Sequence, residues 1–156
     1  MPDRRRKFVL IRTLIESDIP CLQKLYRYLA ADNAEIPLPE AIARWELLKS
    51  YPNSNIFVVC LESILVASCT LVVIPNLTRN GMPYALIENV VTHEDHRKQG
   101  YGSAVLHRAI EAAWQAGCYK VMLMTGSKQS STLKFYQDAG FEQSKTGFQI
   151  RRPKTA

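Results

Sequence analysis

Hydrophobic residues change their spacing several times along the chain, and each change marks a different element. Five runs rich in Val, Ile and Cys predict strands, at residues 8–13, 56–61, 64–74, 84–92 and 119–125. Apolar residues three or four positions apart predict four helices, which begin near Ile19, Pro39, Gly102 and Ser131. The two-residue turn at Glu62-Ser63 predicts that the second and third strands form an antiparallel hairpin. A last strand is expected near Gly147 to Arg151.

Residues typical of helix ends support this division. Asp18 or Ser17 can cap the first helix, and Pro20 is tolerated in its first turn. Gly117 occupies the position expected just after the third helix. The residues of that helix predicted to face the sheet are Leu106, Ala109, Ile110 and Ala113. No repeat or change of composition interrupts the pattern, so we expect a single mixed α/β domain over residues 1–156.

Composition and charge bound the function. Of the 156 residues, 47% are hydrophobic and 22% charged, which is ordinary for a globular protein. The net charge of +6 is concentrated at the ends, because eight of the 20 basic residues lie in residues 1–12 and 151–156. This distribution argues against nucleic acid as a partner. No apolar run reaches the roughly 20 residues of a membrane span, and the basic N-terminus leads into a strand, so we expect a cytoplasmic protein without a membrane partner.

Cysteine and histidine spacing gives no metal site. Cys21, Cys60, Cys69 and Cys118 form no C-x-x-C pair, and the three histidines do not complete a ligand set with them. Cys60 and Cys69 lie in apolar runs, where we expect them to serve as small hydrophobic residues.

The most informative segment is Arg97-Lys98-Gln99-Gly100-Tyr101-Gly102, between a predicted strand and the most strongly patterned helix. Two glycines allow a tight turn, and the first turn of a helix offers unpaired N–H groups with a partial positive charge. Arg97 and Lys98 add two positive charges, and the Ser103 hydroxyl can donate a further hydrogen bond. This segment is typical of a pyrophosphate site, although a capped loop with solvated charges is the alternative.

Three motifs together identify a family. Glu88-Asn89-Val90-Val91-Thr92 is followed by Arg97-x-x-Gly100-x-Gly102 and then by Phe135-Tyr136-x-x-x-Gly140-Phe141. Their order and spacing, from about residue 84 to residue 141, resemble the GNAT superfamily of acetyl-CoA-dependent N-acetyltransferases. The resemblance implies the acyl-CoA N-acyltransferase fold, an α+β fold with a mostly antiparallel mixed sheet flanked by helices. It also implies acetyl-CoA as the acetyl donor and no metal.

The resemblance assigns the acetyl-CoA contacts to matching residues. It implies that Arg97, Lys98, Gln99, Gly100, Tyr101, Gly102 and Ser103 hold the coenzyme A pyrophosphate. Backbone N–H groups of Val90, Val91 and Thr92 would hold the thioester carbonyl, where the strand parts from its neighbour. At the head of the last helix the family often has an asparagine that contacts the pantetheine arm. This chain has Gln129 there, so that contact rests on a residue that departs from the family pattern.

Acetyl transfer also needs groups that move protons. Glu88 is the candidate base, because it lies in an apolar strand where partial desolvation would raise the pKa of a carboxyl; the alternative is an exposed or salt-bridged residue. Tyr136, which matches a family tyrosine, is the candidate acid for the departing thiolate, or else an aromatic packing residue. A Cys118 acyl-enzyme is less favoured than direct attack, because no histidine is placed to activate the thiol. His93 and His96 flank the turn, where a solvated loop role is favoured over a proton relay.

The acceptor is left open by these motifs. The stretches Gly117-Cys118-Tyr119-Lys120 and Gln149-Ile150-Arg151 resemble glucosamine-6-phosphate N-acetyltransferases, so a primary amine on a sugar phosphate is one hypothesis, with Arg151 or Arg152 meeting the phosphate. The segment Thr125 to Ser131 departs from that branch. A protein or peptide N-acetyltransferase and a non-catalytic acyl-CoA-binding regulator are the alternatives. A homodimer through the C-terminal strand is compatible with the family analogy.

Overall fold

The computed structural model describes residues 7–155. The basic residues Arg4, Arg5 and Arg6, singled out in the sequence, therefore lie outside the described part. Contacts group the chain into two compact units, the first ending at Leu123 and the second beginning at Met124.

The described part of the first unit contains five strands and three α-helices. The strands are β1 (Val9–Thr13), β2 (Asn55–Leu61), β3 (Ile64–Ile74), β4 (Tyr84–Thr92) and β5 (Val121–Met122). The helices are α1 (Ile19–Leu25), α2 (Leu38–Ser50) and α3 (Tyr101–Gln115). Short 3-10 turns lie at Glu16–Asp18, Tyr26–Tyr28, Arg79–Gly81 and Glu94–His96. The second unit contains α4 (Ser130–Asp138).

The strands form one sheet in sequence order, β1 to β5. The first four pair antiparallel, and β5 alone among the described strands pairs parallel, with β4. The predicted hairpin between β2 and β3 is confirmed, with Glu62 at a φ of 58° in its turn. The sheet is therefore mixed and mostly antiparallel, and the expected fold class is confirmed.

The two faces of the sheet carry different helices. On β3, Cys69 lies on the α3 face, where its Sγ is 3.6 Å from the carbonyl oxygen of Val105. Side chains alternate along a strand, so Thr70 lies on the opposite face. That second face belongs to α1 and α2, whose Leu22 and Trp45 pack in one core cluster with Ile56 of β2.

Helix α3 is buried along its apolar stripe and closed by hydrogen bonds at its C-terminal end. Leu106, Ala109 and Ala113 are fully buried, as the spacing predicts, and Ile110 is half-buried. Val105, which was not among the predicted residues, is fully buried as well. Gly117 has a φ of 80° and donates to the Trp114 carbonyl at 3.0 Å, while the Cys118 N–H donates to the Ala113 carbonyl at 3.1 Å. These two bonds satisfy the last helical carbonyls and confirm the predicted role of Gly117.

Three local expectations are wrong. β5 is limited to Val121–Met122 rather than 119–125. Residues 147–151 form no strand, and Phe148 and Ile150 are more than nine-tenths exposed, because an alternating pattern makes a strand only where a neighbour supplies the ladder. The Asp18 side chain does not cap α1, since it accepts from the Ile15 N–H and pairs with Arg12 instead.

Candidate functional site

The turn before α3 has the backbone geometry of an anion site. Lys98 and Gly100 adopt left-handed conformations, with φ of 60° and 87°. Gly100 is the residue before the helix and no side chain caps it; the first helical bond runs from the Ala104 N–H to the Gly100 carbonyl at 3.0 Å. The N–H groups of Tyr101, Gly102 and Ser103 precede that bond and have no acceptor within the helix. They therefore offer three donors at the positive end of the helix.

Exposed polar and charged side chains lie around this turn. Arg97, Lys98 and Gln99 are exposed. Arg97 donates from Nε to the Thr92 carbonyl at 3.2 Å, and Gln99 donates to the Asp95 carbonyl at 3.4 Å. These bonds tie the turn back to the end of β4 and leave the remaining guanidinium nitrogens of Arg97 available for a phosphate.

A cluster of aromatic side chains packs next to the turn. His93 Nδ1 accepts from the Asp95 N–H at 3.2 Å, so Nε2 carries the ring proton and donates to the Tyr28 hydroxyl at 3.1 Å. His96 packs edge-on against His93 and Tyr101, with ring centroids 5.3 and 6.4 Å apart. His93 is thus half-buried and hydrogen-bonded, which corrects the expected solvated role.

A bulge in β4 lies where the catalytic base is predicted. Glu88 pairs with Thr70 and Val91 with Ser68, so that Asn89 and Val90 together lie opposite Cys69 alone. Asn89 takes the strain of the extra residue, with a left-handed φ of 54°. The bulge separates Glu88 from the regular ladder that continues at Val91.

Beyond the bulge, β4 has an open edge. Only Ala85 and Leu86 pair with β5, and in the described first unit the β5 side of the strand has no strand partner from Ile87 to Thr92. The residues expected to present N–H groups to a thioester, Val90 to Thr92, lie in this open segment. An unpaired strand edge can donate to a ligand in place of a neighbouring strand.

Glu88 itself is exposed, contrary to the burial expected from its apolar strand. The apolar run predicted partial burial, whereas Glu88, which pairs with Thr70 just before the bulge, has the exposed position that was its alternative. Glu88 and Thr70 are directly opposite each other, so both side chains lie on the α1 and α2 face.

The second unit contains the two remaining candidates. Gln129 is the residue before α4; it is exposed, and its carbonyl accepts from the N–H groups of Thr132 and Leu133 at 3.1 Å. Tyr136 is half-buried within α4, and its ring packs edge-on against Phe135 and Phe141, with centroids 5.0 and 6.3 Å away. Within its unit, Tyr136 thus makes the ring contacts expected of an aromatic packing residue, which was the alternative to an acid role.

Three of the four thiols are poorly suited to nucleophilic catalysis. Cys60, Cys69 and Cys118 are buried, and burial raises the pKa of each thiol, in Cys69 to about 12. A buried thiol stays protonated and is a weak nucleophile.

Among residues 7–155 no cluster of three or more His, Cys, Asp or Glu side chains is arranged to hold a metal. No helix in the same range has the length and hydropathy of a membrane span.

A cavity that no sequence pattern predicts lies between α1, α2 and the sheet. Its volume is about 410 Å³, and Thr70 and Asn89, which flank Glu88 in space and in sequence, contribute to its wall. Its other walls come from residues scattered between Leu14 and Ile56. The lining combines buried core residues with exposed ones from distant parts of the sequence, so only the fold brings them together.

The chain belongs to the acetyltransferase (GNAT) family, whose model matches residues 22–141. A protein of Agrobacterium tumefaciens strain C58, assigned as an acetyltransferase, has a solved structure that is 45% identical, with a TM-score of 0.86 over 92% of this chain and 99% of that one. Two curated relatives match shorter stretches. Glucosamine 6-phosphate N-acetyltransferase of Trypanosoma brucei brucei is 36% identical over 49% of this chain and 50% of its own length. Streptothricin acetyltransferase A of Bacillus subtilis strain 168 is 43% identical over 36% of this chain and 33% of its own length.

Proposed function

We propose that this protein transfers the acetyl group of acetyl-CoA to a primary amine of a small molecule, by direct attack in a ternary complex. The observation that carries the proposal is the uncapped start of α3, where left-handed Lys98 and Gly100 turn the chain beneath three N–H donors. Family membership supports the same donor. The family match runs across Leu123 and Met124, so we propose one functional domain made from both units.

The donor fits the residues present. A pyrophosphate carries negative charge and accepts hydrogen bonds, and the turn supplies N–H groups, Arg97, Lys98 and the Ser103 hydroxyl. We assign Gln99, Tyr101 and Gly102 to the same turn. Gln129 is proposed as a pantetheine contact from the head of α4, on the family pattern alone.

In the proposed reaction Glu88 takes a proton from the substrate ammonium, directly or through water. The neutral nitrogen then bonds to the acetyl carbon, and N–H groups at the open edge from Val90 to Thr92 stabilise the oxyanion. The carbon–sulfur bond breaks, the attached nitrogen loses its second proton to water, and Tyr136 protonates the thiolate and regains a proton from solvent. The products are the N-acetyl amide, free coenzyme A and one released proton. The exposed Glu88 is compatible with a water-mediated route.

The direct mechanism is preferred over an acyl-enzyme. Cys118 is buried, and burial raises the pKa of its thiol. Free cysteines throughout the described chain also fit the reducing cytoplasm that we propose as its location.

The curated relatives support a small-molecule acceptor but give different amines. One relative is named for glucosamine 6-phosphate and the other for streptothricin, and each aligns with half of its length or less. An amino sugar phosphate is therefore one candidate acceptor for this chain. A peptide amine and a regulator without turnover are the alternatives that the same assay separates.

The test is release of free thiol from acetyl-CoA across a panel of small amines, glucosamine 6-phosphate and a short peptide. Calorimetry with acetyl-CoA gives the binding step separately. We expect Glu88→Gln and Tyr136→Phe each to lower kcat by about 100-fold or more while binding acetyl-CoA normally. Glu111→Gln and Tyr51→Phe, at exposed positions, are the matched controls. Binding without turnover of any amine would favour the regulator, and no binding at all would overturn the proposal.

A further inference from the structure

We propose that the cavity between α1, α2 and the sheet binds the apolar part of the acceptor, so that the substrates are primary amines carried on an aryl or alkyl group. This inference rests on the proposed acetyl transfer, and it selects among the small amines that the assay leaves open. The cavity volume of about 410 Å³ lies within the range of small-molecule sites.

Buried apolar side chains form part of the cavity wall. Leu14, Ile19, Leu22 and Ile56 line it while remaining more than nine-tenths buried, and the Trp45 ring lies among them. When an apolar group replaces water in a preformed apolar cavity, the free energy of the complex is lowered. The cavity therefore favours a hydrocarbon surface.

Most polar side chains of the lining are already hydrogen-bonded within the protein. Gln23 bonds both the N–H and the carbonyl of Ile36, at 2.8 and 3.1 Å, and Asn33 donates to the Tyr26 carbonyl at 3.0 Å. Burial raises the pKa of Tyr26 to about 12, and its hydroxyl bonds Thr70, so it stays neutral. In the described chain only Trp45 Nε1, of the lining donors, is buried without a partner. A sugar with several hydroxyl groups would lose its hydrogen bonds to water without replacing them here.

Charge and position orient such an amine. Among residues 7–155, the cavity lining contains one charged residue, Arg44, which is paired with Glu40 at 3.4 Å, and no carboxylate. An ammonium group is therefore not stabilised inside. Ile56, Thr70 and Glu88 are consecutive cross-strand partners on one face of the sheet, so the row of residues that begins in the cavity wall ends at the carboxylate. The apolar group would occupy the cavity and the amine would lie at Glu88.

The first test is direct binding, read by the fluorescence of Trp45. The chain has two tryptophans, so Trp114→Phe, at an exposed position, leaves Trp45 as the single reporter. We expect 2-phenylethylamine to change Trp45 emission saturably and glucosamine 6-phosphate to leave it unchanged. This readout does not depend on acetyl transfer. Saturable emission changes with glucosamine 6-phosphate and none with 2-phenylethylamine would overturn the inference.

The second test uses turnover of linear alkylamines and a filled cavity. From propylamine to hexylamine we expect kcat/KM to rise by about fourfold per methylene. Ala41→Phe, in the cavity wall, should remove most of that rise, whereas Ala43→Phe, exposed on the same helix, should keep it. If Ala41→Phe does not fold, the chain-length series and the Trp45 titration still decide.

The two proposals fail in different ways. If thiol is released with hydrophilic amines while kcat/KM is flat along the alkyl series, acetyl transfer stands and the cavity assignment is wrong. If 2-phenylethylamine binds at Trp45 but no amine is acetylated, the cavity assignment stands as a binding site and the proposed transfer is wrong.

Discussion

The two faces of the sheet differ in how completely they are filled. On the α3 face, Leu71, Ile87 and Leu106 are at most 1% exposed, and α3 packs against β1 to β4. On the other face, α1 and α2 contribute Leu22 and Trp45 to a core cluster, yet enclose a cavity of about 410 Å³ with Thr70 in its wall. One face is solid and the other is hollow.

This difference matches the two tasks proposed for the site. The solid face fixes α3, so the N–H groups at its start are held ready for a charged ligand without rearrangement. The hollow face leaves room for a second substrate beside Glu88. The residues behind the common donor are therefore fully buried, whereas the cavity lies where acceptors would vary.

The largest effect should come from removing a leucine from each face. Leu71→Ala should lower the free energy of unfolding by about 3 to 5 kcal/mol, since it opens a new void in packed surroundings. Leu22→Ala should cost only about 2 to 3 kcal/mol, because Leu22 already borders a void. Urea denaturation of both variants measures the difference. Equal losses would mean that the second face is as tightly packed as the first.

The ion pair at the entrance to α1 should have the next largest effect. Asp18 accepts from Arg12 Nη2 at 3.1 Å and from the Ile15 N–H at 3.0 Å. Burial raises the pKa of Asp18, but these hydrogen bonds and the Arg12 charge outweigh it and hold the pKa below its ordinary value. Asp18→Asn should cost about 1.5 to 3 kcal/mol at pH 7, because a charge-assisted bond on a largely buried carboxylate is lost.

Lowering the pH should remove the difference in unfolding free energy between the wild type and Asp18→Asn. A carboxyl with a lowered folded pKa stabilises the fold above its unfolded pKa of about 3.9, and the contribution disappears as pH falls through the folded value. The gap between the wild type and Asp18→Asn should therefore be constant near neutrality and close below about pH 4. Glu40→Gln, which breaks the exposed pair with Arg44, should cost less than about 0.5 kcal/mol. A gap that is unchanged in acid would show that Asp18 acts by packing alone.

The same contrast explains what the sequence could predict. The donor turn is seven consecutive residues, and its glycines and charges are legible without the fold. The predicted first residues of α2, α3 and α4 lie within one residue of the observed ones, because spacing and end residues are local signals. The bulge at Asn89, the exposure of Glu88 and the cavity depend on which strands and helices meet. Residues 147–151 show the limit most clearly, since their alternation is genuine but no ladder forms.

Backbone strain in the turn should affect donor binding about tenfold. Gly100 has a φ of 87° with nothing within 4 Å of an added Cβ, so Gly100→Val brings conformational strain rather than a clash. A left-handed β-branched residue costs about 1 to 2 kcal/mol. If the turn relaxes to avoid that cost, calorimetry should show acetyl-CoA affinity falling by about 10-fold. Gly117→Val, with a φ of 80° and equally open surroundings, is the matched control. It should lose stability and keep its affinity, and equal affinities in the two variants would contradict a role for the turn geometry.

The smallest expected effect is on acetyl-CoA affinity, and the salt dependence of ligand binding should differ between the two faces. Lys98 is exposed beside the uncapped helix, so its charge acts on a phosphate through screened solvent. Lys98→Gln should weaken acetyl-CoA binding by only about twofold at physiological salt, and raising the salt concentration should reduce that difference further. Lys24→Gln, exposed on α1, should leave donor affinity unchanged. Binding of 2-phenylethylamine at Trp45 should be nearly insensitive to salt, because apolar burial supplies it. If amine binding instead weakened with salt as steeply as donor binding, charge rather than the hollow face would select the acceptor.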